Sequence, residues 1–339
     1  MITATTLMKR SKRYRACLIL LASMGIGTAS SLLHTDKVVQ ASPSRESTLA
    51  KSVHNKNTQQ HPQRQTKQTN TSTDISAEVD RALTSGVNFI RQGNITAAIE
   101  AFQQAVSLNP NSAAAQYNLG LALRQNNQLQ AAATAFWQAT QADPNFALAY
   151  VNLGAALIEG DGLGQAQSYL TRAIELEPEL GIAHYNMGLL QRRQGDTVAA
   201  FESFKSAIAY SPSAPESHYH IGLIYQEQQQ YPQAQSAFEN AIELDYHYPE
   251  AHYNLGVTFI RQNSPETAII AFTRATQLQP MFGHAHYAKG LALADLGRYE
   301  EAHAELQSAK NIYIAQGNAQ WANTAQTQIG QIESLIGAQ

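Results

Sequence analysis

Asparagine recurs along this chain at a fixed interval, in a pattern that could bind polypeptide backbone. The interval is 34 residues, and histidine takes one place in the row, which runs Asn118, Asn152, Asn186, His220 and Asn254. An asparagine side chain carries a hydrogen-bond donor and an acceptor, so a row of them can pair with the backbone of a peptide whatever its sequence. We therefore take these five as candidate peptide-binding residues. The alternative is that they stabilise neighbouring helices.

A row of tyrosines immediately precedes the asparagine row. The tyrosines that we take as candidate peptide-binding residues are Tyr117, Tyr185, Tyr219 and Tyr253, and Tyr287 continues the row. Tyrosine rings are amphipathic, so they can contact a peptide, but they can equally fill the space between helices. The sequence leaves both roles open.

No group of residues in the sequence is typical of an active site. It has no glycine-rich phosphate loop and no G-x-S-x-G sequence, and its one cysteine, Cys17, excludes a disulfide framework and a cysteine-based zinc site. Four histidines also step by 34 residues, namely His184, His218, His252 and His286. The H-x-H pairs that two of them form would not face one way on a helix, so we assign these four to helix packing. We predict no enzyme, no metal site and no cofactor.

The 34-residue interval governs the whole region from Val79 to Gln316. Seven units follow without insertion, at 79–112, 113–146, 147–180, 181–214, 215–248, 249–282 and 283–316. Counted from the start of each unit, position 8 is glycine, positions 20 and 27 are alanine, and position 24 is phenylalanine or leucine. Apolar residues at steps of three and four mark one face of a helix, and small residues let two helices approach closely.

Turn residues divide each unit into two helices. Position 15 is glycine or asparagine in five units, at Gly93, Asn127, Gly195, Asn263 and Gly297. Both residue types tolerate the left-handed conformation that ends a helix, and a proline closes most units because it cannot continue a helix. Every unit is therefore predicted to be a helix, a tight turn and a second helix. The second helix of the last unit, which lacks that proline, should continue to about Ala315.

This pattern closely resembles the tetratricopeptide repeat family, whose leucine-glycine, tyrosine, alanine, phenylalanine and proline positions fall at these offsets. The resemblance covers residues 79–316. It implies an all-α fold, a right-handed superhelical α-solenoid of seven helix-turn-helix units, whose first helices line a concave groove. It also places the asparagines on that groove, as in arrays of this family that carry an asparagine ladder. Residues 317–339 are predicted to form a helix that caps the last unit.

Charged residues at the ends of the first helices are of mixed sign along the array. Arg124 and Arg192 are further candidate peptide-binding residues, although the helix dipole alone favours arginine at a helix C terminus. Glu159, Glu227 and Asp295 oppose the dipole. We expect these acids to pair with arginines on adjacent units rather than to contact a charged ligand.

The region before the repeats has the composition of an export signal and a linker. Five cations between Lys9 and Arg15 precede an uncharged run from Ala16 to Leu33, which is typical of a signal peptide. We place cleavage after Ala41, and the alternative is an uncleaved membrane anchor. Residues 42–78, rich in glutamine, threonine and serine, are predicted to be a disordered linker. Either reading gives an exported protein, secreted or tethered to a membrane.

Charge divides the chain into a basic leader and an acidic body. Residues 1–78 hold 11 lysines and arginines against 4 acids, whereas residues 79–339 hold 12 against 22. An acidic body with no basic stripe argues against a nucleic-acid partner. The sequence therefore predicts a scaffold or assembly factor that binds a protein or peptide. A second hypothesis is a non-catalytic regulatory or substrate-recruiting subunit of an enzyme system.

Overall fold

The computed structural model describes residues 69–337, which form two compact units at 69–212 and 213–337. Within this range every regular element is an α-helix, so the predicted all-α repeat fold is confirmed. The first unit contains α1 (Thr69–Arg91), α2 (Ile95–Leu108), α3 (Ala113–Gln125), α4 (Leu129–Ala142), α5 (Ala147–Glu159), α6 (Leu163–Leu176), α7 (Gly181–Arg193) and α8 (Thr197–Tyr210). The second contains α9 (Pro215–Glu227), α10 (Tyr231–Leu244), α11 (Pro249–Arg261), α12 (Pro265–Leu278), α13 (Gly283–Asp295), α14 (Tyr299–Ala315) and α15 (Ala319–Ile336).

The tight turn inside each repeat has a left-handed residue at position 15, as predicted. All five glycines and asparagines named for this position have φ between 58° and 82°. The other two repeats place Asp161 and Gln229 there, with φ of 62° and 58°. Aspartate tolerates this conformation much as asparagine does, whereas glutamine is strained in it, so at Gln229 the geometry of the turn is kept although the residue type opposes it.

Close approach of the two helices of a repeat depends on the glycine at position 8. A Cβ atom placed on Gly120 would lie 2.6 Å from the ring of Phe136, and one on Gly256 would lie 2.6 Å from the ring of Phe272. The aromatic ring therefore occupies the space that a side chain would need. The phenylalanines and leucines at position 24 are among the most deeply buried side chains of the described chain.

The connection between successive repeats is held by the side chain at position 4. Its nitrogen lies near the backbone carbonyl of the residue six places earlier, which in three of four cases is the closing proline. The pairs are Gln116 with Pro110 at 3.2 Å, His184 with Pro178 at 2.8 Å, His252 with Tyr246 at 3.1 Å and His286 with Pro280 at 3.1 Å. Carbonyls near helix ends lack intrahelical partners, so these side chains supply one. Three of the four stepping histidines thus have the packing role that we predicted.

The C-terminal end of the array is closed by α15. The preceding helix, α14, ends at Ala315 as predicted. Helix α15 buries Ala325, Ile329 and Ile332, and its outer side carries glutamine, asparagine and threonine. The predicted capping helix is therefore present, and its residues Trp321 and Ile336 are half-buried.

The prediction that the linker extends to residue 78 is wrong, because α1 already begins at Thr69. The predicted signal or anchor at 1–41 and the linker up to residue 68 lie outside the described residues. Among the helices that are described, none combines the length and the apolar character needed to span a membrane.

Candidate peptide-binding face

The first helices of successive repeats lie side by side, and we call them the first-helix layer. In the unit 69–212 the layer consists of α1, α3, α5 and α7, and in the unit 213–337 of α9, α11 and α13. Residues at the same position of neighbouring repeats therefore form rows across the layer. These rows contain every candidate binding residue named from the sequence.

The side-chain amides of the asparagine row share one orientation. In each, Nδ2 donates to the backbone carbonyl four residues earlier in the same helix. The distances are 2.8 Å for Asn118, 3.0 Å for Asn152, 3.0 Å for Asn186 and 2.9 Å for Asn254. Because a carbonyl can only accept a hydrogen bond, this contact fixes which amide atom points away from the helix. The atom that points away is the acceptor Oδ1.

Exposure divides the row into two groups. Asn152, Asn186 and His220 are buried, with exposed fractions of 2 %, 0 % and 1 %. Asn118 and Asn254 are half-buried, and within residues 69–337 no hydrogen bond is made by the Oδ1 atom of either. A ligand can therefore reach the acceptors of Asn118 and Asn254 without a rearrangement of the layer.

The buried amide of Asn152 belongs to a polar network that joins two repeats. Its Nδ2 also donates to the hydroxyl of Tyr117 at 3.1 Å, and its Oδ1 accepts from Nη1 of Arg124 at 3.4 Å. The guanidinium of Arg124 makes a 2.6 Å ion pair with Glu159. The expected pairing of this acid with an arginine of an adjacent repeat is confirmed. The network leaves Arg124 only 8 % exposed.

A related network joins α9 and α11 in the second unit. Asn254 donates to the hydroxyl of Tyr219 at 3.2 Å. Gln226, at the position that Arg124 takes in its own repeat, donates to the backbone carbonyl of Asn254 at 2.9 Å and to Thr258 Oγ1 at 2.7 Å. The same positions thus connect repeats in both units, with a neutral side chain in place of the arginine.

Asn186 lacks these contacts. The preceding repeat places Val151 and Ile158 where Tyr117 and Arg124 stand one repeat earlier. As a result, the buried Oδ1 of Asn186 has no hydrogen-bond partner in the part of the chain that the structure describes. A buried acceptor without a partner costs about 1–3 kcal/mol.

The tyrosine row fills space between helices. Tyr117 packs against Phe136 and Phe146, and its ring centroid lies 5.8 Å and 4.8 Å from theirs. Tyr185 and Tyr253 are also buried, and burial raises the pKa of Tyr253 to about 12. Tyr219 is half-buried, so it is the member of the row that a ligand could most easily contact.

The outward side of the layer carries a row that we did not select from the sequence, at position 2. In the first unit it begins with the exposed Asp80 and continues with Ala114 and the half-buried Leu148 and Ile182, whereas in the second it contains Glu216 and Glu250. Burial raises the pKa of Glu216, and the nearby charge of Asp245 adds to this effect. The 34-residue step could have revealed this row, but its residue types vary too much to stand out.

The remaining candidate, Arg192, differs in its surroundings from the neighbouring Arg193. Arg192 is half-buried at the end of α7, so it remains accessible. Its neighbour Arg193 makes a 3.4 Å ion pair with Asp161 of the preceding repeat and contacts the carbonyl of Ile158.

Residues 69–337 contain no group of three or more side chains suited to holding a metal ion.

Comparison with known families matches the tetratricopeptide repeat to residues 83–147, 151–215, 219–280 and 259–319. The chain belongs to the tetratricopeptide repeat family. Proteins of this family generally mediate protein–protein interactions and scaffolding, and are typically non-catalytic. A search of curated proteins found no match.

Solved structures with the same fold are distant in sequence. The structure of pilF from Pseudomonas aeruginosa is 18 % identical, with a TM-score of 0.55, over 61 % of this chain and 94 % of its own. A tetratricopeptide repeat protein from Parabacteroides merdae is 14 % identical, with a TM-score of 0.57, and the match covers 74 % of this chain and 99 % of its own. A chain of the Cut9–Hcn1 hetero-tetramer of APC/C is 18 % identical, with a TM-score of 0.59, and the match covers 70 % of this chain and 48 % of that one. At these identities the likeness shows the fold alone.

Proposed function

We propose that this tetratricopeptide repeat protein is an exported scaffold or assembly factor that binds an extended peptide, or an extended segment of a partner protein, on the first-helix layer. The observation that carries the proposal is the common orientation of the asparagine amides, which directs Oδ1 away from each helix. Backbone N–H groups of an extended chain are the natural donors to such a row.

The accessible positions define which residues would bind. Asn118 and Asn254 are half-buried, and their Oδ1 acceptors are accessible to a ligand. The amide of Asn152 is instead hydrogen-bonded to Tyr117 and Arg124. Half-buried aliphatic side chains at Leu121 and Leu148 lie on the same layer and would contact apolar side chains of the ligand. The buried Asn152 then serves to join two repeats, and the half-buried Asn118 and Asn254 serve to bind.

Site-specific photo-cross-linking tests whether this face is the binding face. We would place p-benzoylphenylalanine at Leu121, on the layer, and as a matched control at Val198, which is 76 % exposed on the second helix α8. We expect a discrete cross-linked partner from Leu121 and none from Val198. Equal products from both positions, or products from Val198 alone, would contradict the proposal.

Once cross-linking has identified a partner, alanine substitutions test whether the Oδ1 acceptors of Asn118 and Asn254 bind it. Asn118→Ala should weaken binding to the unit 69–212, and Asn254→Ala binding to the unit 213–337, by about 2–10-fold each, because a lost hydrogen bond contributes about 0.5–1.5 kcal/mol. The double variant carries both losses. Asn152→Ala should lower the stability of the fold and leave the affinity of the folded protein nearly unchanged. If the double variant binds as tightly as the wild type, the asparagines are not the contact.

The alternative, a regulatory or recruiting subunit of an enzyme system, makes a different prediction for co-purification from the native compartment. One enzyme recovered in stoichiometric amount would favour that alternative, whereas several unrelated clients would favour the scaffold.

N-terminal sequencing of the mature protein tests export separately. A chain that begins before Ser42 would contradict cleavage after Ala41.

A further inference from the structure

A partly buried histidine lies at the junction of the last three helices. His284 is at position 2 of α13, and its ring meets Tyr313 of α14 and Trp321 of α15 at centroid distances of 5.4 Å and 4.8 Å. The rings of Tyr313 and Trp321 stack on one another at 5.7 Å, and Tyr287 also contacts Trp321. The imidazole is therefore part of the contact through which the capping helix α15 holds the end of the array.

This environment suits a neutral imidazole. The Nδ1 atom of His284 lies 2.9 Å from the hydroxyl of Tyr313. Burial raises the pKa of Tyr313, so the phenol keeps its proton and can donate it in a hydrogen bond to Nδ1. The proton of His284 is then on Nε2. Burial lowers the pKa of His284 to about 4, since an imidazolium would lose much of its hydration here.

The other titratable groups at this junction do not compensate. Tyr253 and Tyr287 lie near Tyr313, and neutral phenols offer no counter-charge. On the outer side, His303 of α14 and Glu333 of α15 form a 3.2 Å pair that protonation of His303 strengthens. Water reaches both partners, since the side chain of His303 is 36 % exposed and that of Glu333 is 59 % exposed, so this pair contributes little.

A third group of charges lies nearby, between α13 and α14. Glu305 accepts from His286 and Lys289 at 2.7 Å each. Burial by itself would raise the pKa of Glu305, but these two hydrogen bonds outweigh it and the pKa is lowered. Glu305 therefore remains charged in mildly acidic solution.

We propose that mild acidification releases the capping helix α15 through protonation of His284. In the closed state the pKa of this histidine lies at about 4, below the ordinary value of 6.5 that it regains when α15 leaves. The stability that His284 contributes is thus complete above pH 6.5 and is lost as the pH falls toward 4. The released form should gain about 30-fold between pH 7.5 and pH 5. Release would uncover the apolar face that Ile329 and Ile332 now cover.

Hydrogen–deuterium exchange of the α15 amides, corrected for the intrinsic effect of pH on exchange, measures this opening directly. In the wild-type chain we expect protection to fall about 30-fold from pH 7.5 to pH 5. In His284→Phe, which keeps an aromatic ring and cannot titrate, we expect a fall of less than about threefold. His303→Gln is the matched control and should behave like the wild type.

Two results would overturn the proposal. One is protection of α15 that stays constant in the wild type, and the other is an equal loss of protection in His284→Phe. If His284→Phe does not fold, the ring of His284 can be titrated by NMR in the wild-type chain. A midpoint near 4 supports the proposal, and a midpoint near 6.5 contradicts it. Trp321 fluorescence in a Trp137→Phe background reports on the same junction independently.

Discussion

At the scale of single residues, members of one row have different roles because the preceding repeat differs. Asn152 and Asn186 occupy the same position, yet the first is fully hydrogen-bonded and the second has a buried acceptor without a partner. The sequence interval was enough to find the row. It could not predict burial, because this depends on which side chains the neighbouring helix supplies, here Tyr117 or Val151, and on how closely the two helices pack.

Glycine at position 8 gives a test at this scale. Gly120→Ala should lower the free energy of unfolding by about 1–3 kcal/mol, because the new Cβ would overlap the ring of Phe136 and force the helices apart. Gly164→Ala is the control, since a Cβ there meets nothing within 4 Å. It should stabilise the protein by about 0.4–1 kcal/mol. Denaturant unfolding measures both, and equal stabilities of the two variants would contradict the close-packing argument.

At the scale of helices, the sequence predicted the array well and its start badly. The turn at position 15 and the end of α14 at Ala315 follow from local residue types, so they could be read directly. The first ten residues of α1 carry no apolar pattern, and residues 74–78 are exposed. This stretch is helical because it extends a helix anchored by Val79 and Ala82. A search for a buried face does not detect such an extension.

The contact between α3 and α5 can be tested through its ion pair. Glu159→Gln should lower the free energy of unfolding by about 2 kcal/mol, because it leaves the guanidinium of Arg124 buried without its charged partner. Glu175→Gln removes the acid of an exposed pair with Arg172 and should cost less than about 1 kcal/mol. Thermal or chemical denaturation compares the two. A larger effect at Glu175 would show that the buried pair does not join the repeats.

At the scale of the whole molecule, titratable side chains are distributed unevenly. Three histidines have a pKa lowered chiefly by burial, and all of them lie in the unit 213–337, namely His218, His252 and His284. Histidines that are kept neutral in the fold reduce its stability when the pH falls below their ordinary value of 6.5. We therefore expect the two units to respond differently to acid, although the repeat pattern is uniform.

Acid sensitivity should consequently differ between the units even outside the cap. Between pH 7.5 and pH 5.5 we expect α9–α12 to lose hydrogen-exchange protection, and α3–α6 to lose much less. His252→Gln should reduce the loss in α11, because it removes one of the groups that takes up a proton on unfolding. Equal losses in both units would show that these histidines do not determine the acid response.

The contacts between repeats also restrict the order in which repeats can follow one another. A buried asparagine at position 6 finds its partners in the repeat before it, as Asn152 does in Tyr117 and Arg124 of the repeat 113–146. Excision of residues 147–180 would preserve the register and set Asn186 against Tyr117 and Arg124. Duplication of that same segment would instead place Asn152 of the second copy against Val151 and Ile158 of the first. Gain and loss of whole repeats during evolution are therefore not equivalent. Loss of this segment gives the buried amide of Asn186 partners but removes Glu159 from Arg124, whereas gain creates a second buried amide without those partners.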